Sequence, residues 1–227
     1  MKNSFSELRK KAVESLITQG ILKTPSIIKA ILKVPREEFL PPDVKQHAYV
    51  DSPLPIGSGQ TTSALHMTAM FCEYGKLKFG NKVLEVGGGC GYMSCVYAEV
   101  VASTEKPKNK WGNVWTIEII KELADFAKKN VEKTGYLDRV TVIHGDGSYG
   151  FDRYAPFDVI IVTSAAPDVP DSLIQQLKKG GSLLIPVGDL SLYQQLLRIK
   201  KKNDGSISKE NLGGVAFVPM RGQYGWK

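Results

Sequence analysis

VLEVGGGCGYMSCV, residues 83–96, places four glycines within five residues directly behind a short apolar run. Glycine gives up more conformational freedom on folding than any other residue, so such a cluster implies that something approaches the main chain too closely for side chains. An apolar strand, a glycine turn and then a helix open a doubly wound α/β unit, whose ligands lie beyond the carboxyl ends of the strands. A lone glycine loop also reads as a tight turn with no ligand, so the other strand ends must decide.

From Lys82 onward, short apolar runs alternate with helical stretches. VLEV (83–86), VWTIE (114–118), VTVIHGD (140–146), FDVIIV (157–162) and GSLLIPV (181–187) read as strands, with helical patterns at 91–102, 119–134 and 170–178 between them. The alternation predicts right-handed βαβ units and a mainly parallel, Rossmann-like sheet covered by helices on both faces. Two last runs, LYQQLLRIKKK (192–202) and GGVAFVPM (213–220), flank the turn-like KNDGS and predict a closing antiparallel pair.

Upstream, residues 4–19 read as a helix. Ser4 and Glu7 have capping-box spacing, and Leu8, Ala12, Leu16 and Ile17 recur on one face before Gly20 stops it. A second short helix follows Pro25 and ends near Pro35. Residues 36–67 are dense in proline, glycine and small polar side chains, too polar for core and too particular for a linker. The chain therefore reads as one domain. Residues 1–80 hold helices and a polar loop, 81–190 the βα core, and 191–227 the closing strands and tail.

Composition narrows the class. A 227-residue chain that is 42% hydrophobic suits one well-cored domain. No apolar run approaches the roughly 20 residues of a membrane span, and MKNSFSELRKK leads into an amphipathic helix instead of a signal-peptide core. Cys72, Cys90 and Cys95 form no CxxC pair and no zinc spacing, which makes a reducing cytoplasm the simplest home. The formal charge is +7, but the lysines are scattered, which favours a solvated surface over a nucleic-acid patch.

Acidic residues at three successive strand ends identify the ligand class. Glycines spaced G-x-G-x-x-G put a diphosphate on a helix amino terminus; here Gly87, Gly89 and Gly91 are spaced G-x-G-x-G, with Glu85 on the strand before them. That carboxylate repels a diphosphate and attracts an ammonium and a sulfonium. Glu118 ends the second strand, where it can accept ribose hydroxyl bonds worth roughly 1.5–3 kcal/mol each. Asp146-Gly147 ends the third, suited to an adenine amino group and a close main-chain approach. Any one of these acids alone reads equally well as a solvated loop residue. Together with the glycine loop they point to S-adenosylmethionine.

At this point the chain resembles the protein-L-isoaspartate O-methyltransferase family nearly end to end. The most specific stretch is DSPLPIGSGQTTSALHM, residues 51–67, which lies outside the nucleotide fold; VLEVGGGCGY, VWTIEIIKELADFAKKNV, GDGSYGF, APFDVIIVTSAAPDVPDSLIQQLKKGGSLLIPVG and GVAFVP match in order. The resemblance implies a class I S-adenosylmethionine-dependent methyltransferase fold and methyl transfer to the free α-carboxylate of isoaspartyl residues in aged proteins. It implies that Ser63 is the active-site serine, orienting the acceptor carboxylate. It further implies that Gln60, Thr61 and Thr62 line the passage between cofactor and acceptor, that the Cys90 main chain meets the methionine moiety, and that GVAFVP, with Val218, offers main-chain hydrogen bonds to the substrate peptide. His66 reads as structural. The implied partners are isoaspartyl proteins and peptides, with no stable nucleic-acid partner, no membrane, no metal and a monomeric chain.

Two features depart from the family's common pattern. Gly88 stands where threonine or serine is usual, and the connection 103–113 is longer than expected. The rivals are an RNA, DNA or small-molecule methyltransferase, a non-catalytic S-adenosylmethionine-binding module and a nicotinamide-dependent oxidoreductase. VTSAAPDVP (162–170) lacks the aromatic with which base methyltransferases stack a flipped base, GSGQTTSA is superfluous in a sensor, and Glu85 opposes a dinucleotide.

Overall fold

Ser4 opens the first helix, α1 (Phe5–Thr18), with the reciprocal bonds its spacing predicts. The Glu7 N–H donates to Ser4 Oγ, and the Ser4 N–H donates to Glu7 Oε2 at 2.8 Å. This computed structural model describes residues 4–189 and 193–226. Helix α2 (Pro25–Lys33) starts on Pro25, where the missing N–H costs nothing, and buries Ile27, Ala30 and Ile31.

The polar stretch before the βα core is more ordered than its composition suggests. It contains a hairpin, β1 (Leu54–Gly57) and β2 (Gln60–Thr62), that turns through Ser58 at φ +51°, and it leads into α3 (Leu65–Gly75). Helix α3 is mostly apolar: Leu65, Met67, Thr68, Ala69, Phe71 and Cys72 are all buried, and only the narrow face of His66, Met70, Glu73 and Tyr74 is partly exposed.

The core then follows as β3 (Lys82–Val86), α4 (Tyr92–Val101), β4 (Asn113–Glu118), α5 (Lys121–Lys133), β5 (Val140–His144), β6 (Phe157–Val162), α6 (Asp171–Gln175), β7 (Leu177–Gly188), β8 (Gln194–Lys201) and β9 (Ile207–Val215). The sheet order is β5-β4-β3-β6-β7-β8-β9, with β3 to β7 parallel and the last two strands antiparallel. Strand order reverses beside β3, and the crevice of a doubly wound sheet opens at that point. Along β3 the side chains alternate between faces: Val83 joins the core beneath α2 to α5, while Leu84 and Val86 join the opposite core with Trp115, Ile160 and Leu173.

Two sequence expectations need correction. The pattern at 170–178 is not all helix, because Leu177 already pairs with Phe157 as the first residue of β7. The closing pair is also shifted. Residue 192 lies outside the described residues, and the partner of β8 is β9, which ends at Val215, so most of GGVAFVPM is not in the sheet. The Gln194 side chain takes the ladder's place at Phe217, with Oε1 accepting from its N–H at 2.7 Å and Nε2 donating to its carbonyl at 3.0 Å. The chain then crosses to β6, where the Ala165 N–H donates to the Val218 carbonyl and the Met220 N–H donates to the Ala165 carbonyl, both at 2.8 Å. The lysine-rich connection 103–113 is a largely exposed loop with one short 3₁₀ turn at Lys108–Lys110.

Candidate active site

Three concavities meet at the carboxyl ends of β3, β4 and β6. The first is lined by the glycine loop, Glu118, Gly147 and apolar side chains including Ile117, Ile120 and Leu123. A smaller one lies between the loop and residues 61–63, with Glu85 and Cys90 in its wall. The third is an open groove between Ser63, Met67 and the segment 214–219. Thr61 borders all three, Ser63 borders the small cavity and the groove, and Val218 borders the first cavity and the groove. Gln60 lines the first cavity and Thr62 the small one.

The acids at the strand ends do different work. Glu85 is 1% exposed, and the in-register Thr116 on β4 donates its hydroxyl to Glu85 Oε2 at 2.7 Å. The Ser94 hydroxyl, one turn into α4, donates to the same oxygen. Oε1 is buried with no partner among the described residues. Burial pushes this carboxyl up to about 7; the two hydroxyls oppose the rise and the Glu118 charge adds to it. Glu118 Oε2 accepts from the Gly89 N–H at 2.9 Å and Oε1 from the Ile120 N–H at 3.0 Å, so Glu118 shapes the loop and keeps lone pairs free toward the first cavity.

Gly87, Gly89 and Cys90 border the cavities, but Gly91 does not. Gly91 sits at φ +84° as the residue preceding α4, and a Cβ there would lie 3.2 Å from Val131 and 3.3 Å from the Ala127 carbonyl oxygen. Its glycine is demanded by the approach of α5. Gly147 lines the first cavity, whereas Asp146 lines none of the three. The Asp146 carboxylate faces the chain itself: it accepts from the Ser148 N–H at 2.9 Å, the Ser148 hydroxyl at 2.6 Å and the Gln223 N–H at 2.8 Å.

Gly88, the departure in the loop, has a structural reason. A Cβ there would lie 2.5 Å from Thr116 Oγ1, the hydroxyl that holds Glu85. The Cys90 thiol is buried and burial pushes its pKa up, which suits a space-filling side chain and not a nucleophile. His66 borders the groove with its Nδ1 3.0 Å from Asp51 Oδ1, which also accepts the His66 N–H at 2.9 Å.

Sequence reasoning missed Thr163, which borders both cofactor-side cavities and donates its hydroxyl to the Gly87 carbonyl at 2.6 Å. Its signal was its place at the end of β6, the neighbour of β3. It also missed Ile56, brought to the first cavity by the hairpin, and Met220 and Arg221, brought by the crossing tail.

The sequence model of the protein-L-isoaspartate(D-aspartate) O-methyltransferase family matches residues 7–225. The chain belongs to this family. A protein-L-isoaspartate O-methyltransferase of Hyperthermus butylicus is 52% identical over 98% of this chain and 92% of its own length. That of Staphylothermus marinus is 48% identical over the whole of both chains. Among solved structures, one assigned as a protein-L-isoaspartate O-methyltransferase of Plasmodium falciparum, in complex with S-adenosyl-L-homocysteine, superposes with a TM-score of 0.82 at 27% identity, covering 97% of this chain and 99% of that one. Membership of the family makes the α/β sheet a methyltransferase fold and S-adenosylmethionine its cosubstrate.

Proposed function

We propose that this protein transfers a methyl group from S-adenosylmethionine to the free α-carboxylate of L-isoaspartyl residues in damaged proteins and peptides, forming a methyl ester that collapses through a succinimide during repair. The observation that carries this reading is the shared wall of Thr61 and Ser63, which connects a cavity suited to the donor with a groove open to a peptide.

The residues fit the donor. Glu85, which borders the small cavity and has one carboxylate oxygen with no partner among the described residues, offers a cationic group a place to pair. Glu118 has lone pairs left for ribose hydroxyls, and Ile117, Ile120, Leu123 and Met220 offer apolar surface to a flat ring. Gly87, Gly89, the Cys90 main chain and Gly147 give close approach, and Gln60, Thr61 and Thr62 close the passage. S-adenosylmethionine supplies a methyl group activated by a cationic sulfur.

The chain's own task is alignment. An α-carboxyl group has a reference pKa of about 3.5, so the acceptor arrives ionised and needs no base; no histidine borders the first or the small cavity. Ser63 donates a hydrogen bond that orients the carboxylate, and the 214–219 segment, with Val218, receives the peptide main chain. Holding both partners in line corresponds to effective molarities of about 10⁵ M or more. Among the described residues, no helix is long and apolar enough to cross a membrane. The three free, buried thiols support a reducing cytoplasm, and we take the working form to be a monomer.

Incubation with methyl-labelled S-adenosylmethionine and two peptides differing only in Asp against isoAsp tests the assignment. Label should enter the isoAsp peptide alone and leave as methanol in mild alkali. Equal labelling of both peptides, or alkali-stable label, overturns it.

A further inference from the structure

Arg36 is fully buried, yet it has no carboxylate partner among the described residues. Its neighbours in sequence are acidic but committed elsewhere: Glu37 Oε1 accepts from Arg9 at 2.8 Å while its Oε2 accepts from the Tyr49 hydroxyl, and Glu38 pairs with Lys45 and Lys133. The Arg36 guanidinium makes one hydrogen bond, Nη2 to the Ser63 carbonyl at 2.8 Å, and lies over the Tyr92 ring at 4.9 Å from the centroid. Its Nε and Nη1 are buried and unpartnered. An unpaired charge taken out of water is among the costliest features a fold can carry, so it calls for a reason beyond packing.

The acceptor supplies that reason. It is an anion, yet among the described residues neither the groove nor the small cavity has a lysine or arginine in its lining, and the small cavity contains an acid, Glu85. The buried cation therefore sits one hydrogen bond behind the serine that borders both. Its placement behind the Ser63 main chain also suits the chemistry. Methyl transfer removes the carboxylate's charge, so a direct ion pair would deepen the ground state and slow the step, whereas a potential from behind the wall draws the anion in without clamping it.

We propose that Arg36 is a positioning residue for the acceptor: its guanidinium fixes the Ser63 main chain and supplies the positive potential that draws an isoaspartyl carboxylate into a groove whose described lining holds no cation. This inference rests on the isoaspartyl reading of the site.

The test compares an isoAsp peptide with the same peptide carrying an α-amide in place of the α-carboxylate, the latter measured as a competitive inhibitor. Arg36→Gln keeps a donor for the Ser63 carbonyl, and Arg36→Met keeps the contact with Tyr92 should the glutamine variant not fold. Either should raise the KM of the acid peptide by roughly tenfold, equivalent to about 1.4 kcal/mol, while the inhibition constant of the amide and the dissociation constant of S-adenosylhomocysteine stay put. Arg36→Lys should retain most of the wild-type KM. Parallel weakening of acid and amide would reduce Arg36 to a structural role and overturn the proposal, as would an unchanged KM for the acid. A wild-type protein that methylates neither Asp nor isoAsp peptide would instead sink the activity assignment.

Discussion

Glu85 and Thr116 stand opposite each other on adjacent parallel strands, and the Thr116 hydroxyl donates to the carboxylate that borders the small cavity. This pair couples the charge state of the site to the shape of the glycine loop, since the same hydroxyl occupies the space a Cβ at Gly88 would need.

The Glu85 carboxyl, held near 7 by burial, stays protonated in the folded protein at pH values where the unfolded chain ionises it. The folded state therefore binds more protons between roughly pH 4.5 and 7, and stability without cofactor falls as pH rises through that window, by at most about 1.4 kcal/mol per unit for one proton. Thermal melts from pH 5 to 8 should show the decline, and Glu85→Gln should flatten it. Because a cationic donor favours the ionised carboxyl, S-adenosylmethionine should bind more tightly as pH rises toward 7 and release a proton on binding below it. Calorimetry in two buffers of different ionisation enthalpy measures that proton; none released near pH 6 would contradict the pairing.

Gly88→Ala drives a methyl against the buried, β-branched Thr116 and should break its bond to Glu85, costing about 1–3 kcal/mol of stability. If that contact is the cause, Thr116→Ala should absorb most of the cost of adding the methyl. A double-mutant cycle in denaturant reads this as a coupling energy, whereas additive losses would locate the damage elsewhere.

Ser63 borders the acceptor groove and the small cavity, but not the first cavity that Glu118 and Gly147 line. Ser63→Ala should thus lower turnover of an isoAsp peptide by about 10²-fold through misalignment of the carboxylate, with the dissociation constant of S-adenosylhomocysteine unchanged. Weaker cofactor binding at undiminished turnover is the opposing result.

Much of this was legible in the sequence, for identifiable reasons. The strand runs at 83–86, 114–118 and 157–162 are almost continuously apolar because both faces of a parallel sheet are covered, and they appear within a residue of their predicted limits. Ser4 and Glu7 stated the start of α1 through chemistry local to four residues. What stayed hidden depends on partners distant in the chain. Helix α3 is buried over most of its surface, and its partly exposed face, His66, Met70, Glu73 and Tyr74, mixes apolar with polar side chains, so its periodicity is weak. VAFVPM looks like a strand, but Gln194 and Ala165 capture its main chain. Gly91 and Asp146 sit at positions that read as ligand contacts, and only the packing of α5 and of residues 222–224 reveals what they touch.

Glu118 holds the loop and faces the first cavity at once, so its removal should act twice. Glu118→Ala forfeits the acceptors for the Gly89 and Ile120 N–H groups and any ribose bonds. Cofactor binding should weaken by about 1–3 kcal/mol, while saturated turnover falls much less. Calorimetry with S-adenosylhomocysteine that showed no loss would remove the assigned role.

Asp146 yields a prediction of a different kind, because its three hydrogen bonds all go to the chain itself. Its bond to the Gln223 N–H fastens the tail, and a Cβ at Gly222 would lie 2.2 Å from its Oδ1, so tail and carboxylate are packed in direct contact. Further along, the Tyr224 N–H donates to the Ser148 hydroxyl, itself held by Asp146, and Trp226 Nε1 donates to the Ala165 carbonyl. Asp146→Ala should therefore release 222–226 and raise amide exchange there while leaving β3 to β6 protected. Because Met220 and Arg221, just upstream, line the first cavity, the same change should weaken the cofactor indirectly, and Gly222→Ala, which leaves the carboxylate in place, should reproduce the loss. If Asp146→Ala weakened the cofactor with the tail still protected and Gly222→Ala had no effect, the carboxylate would be acting on the ligand itself, as its place at the end of the third strand first implies.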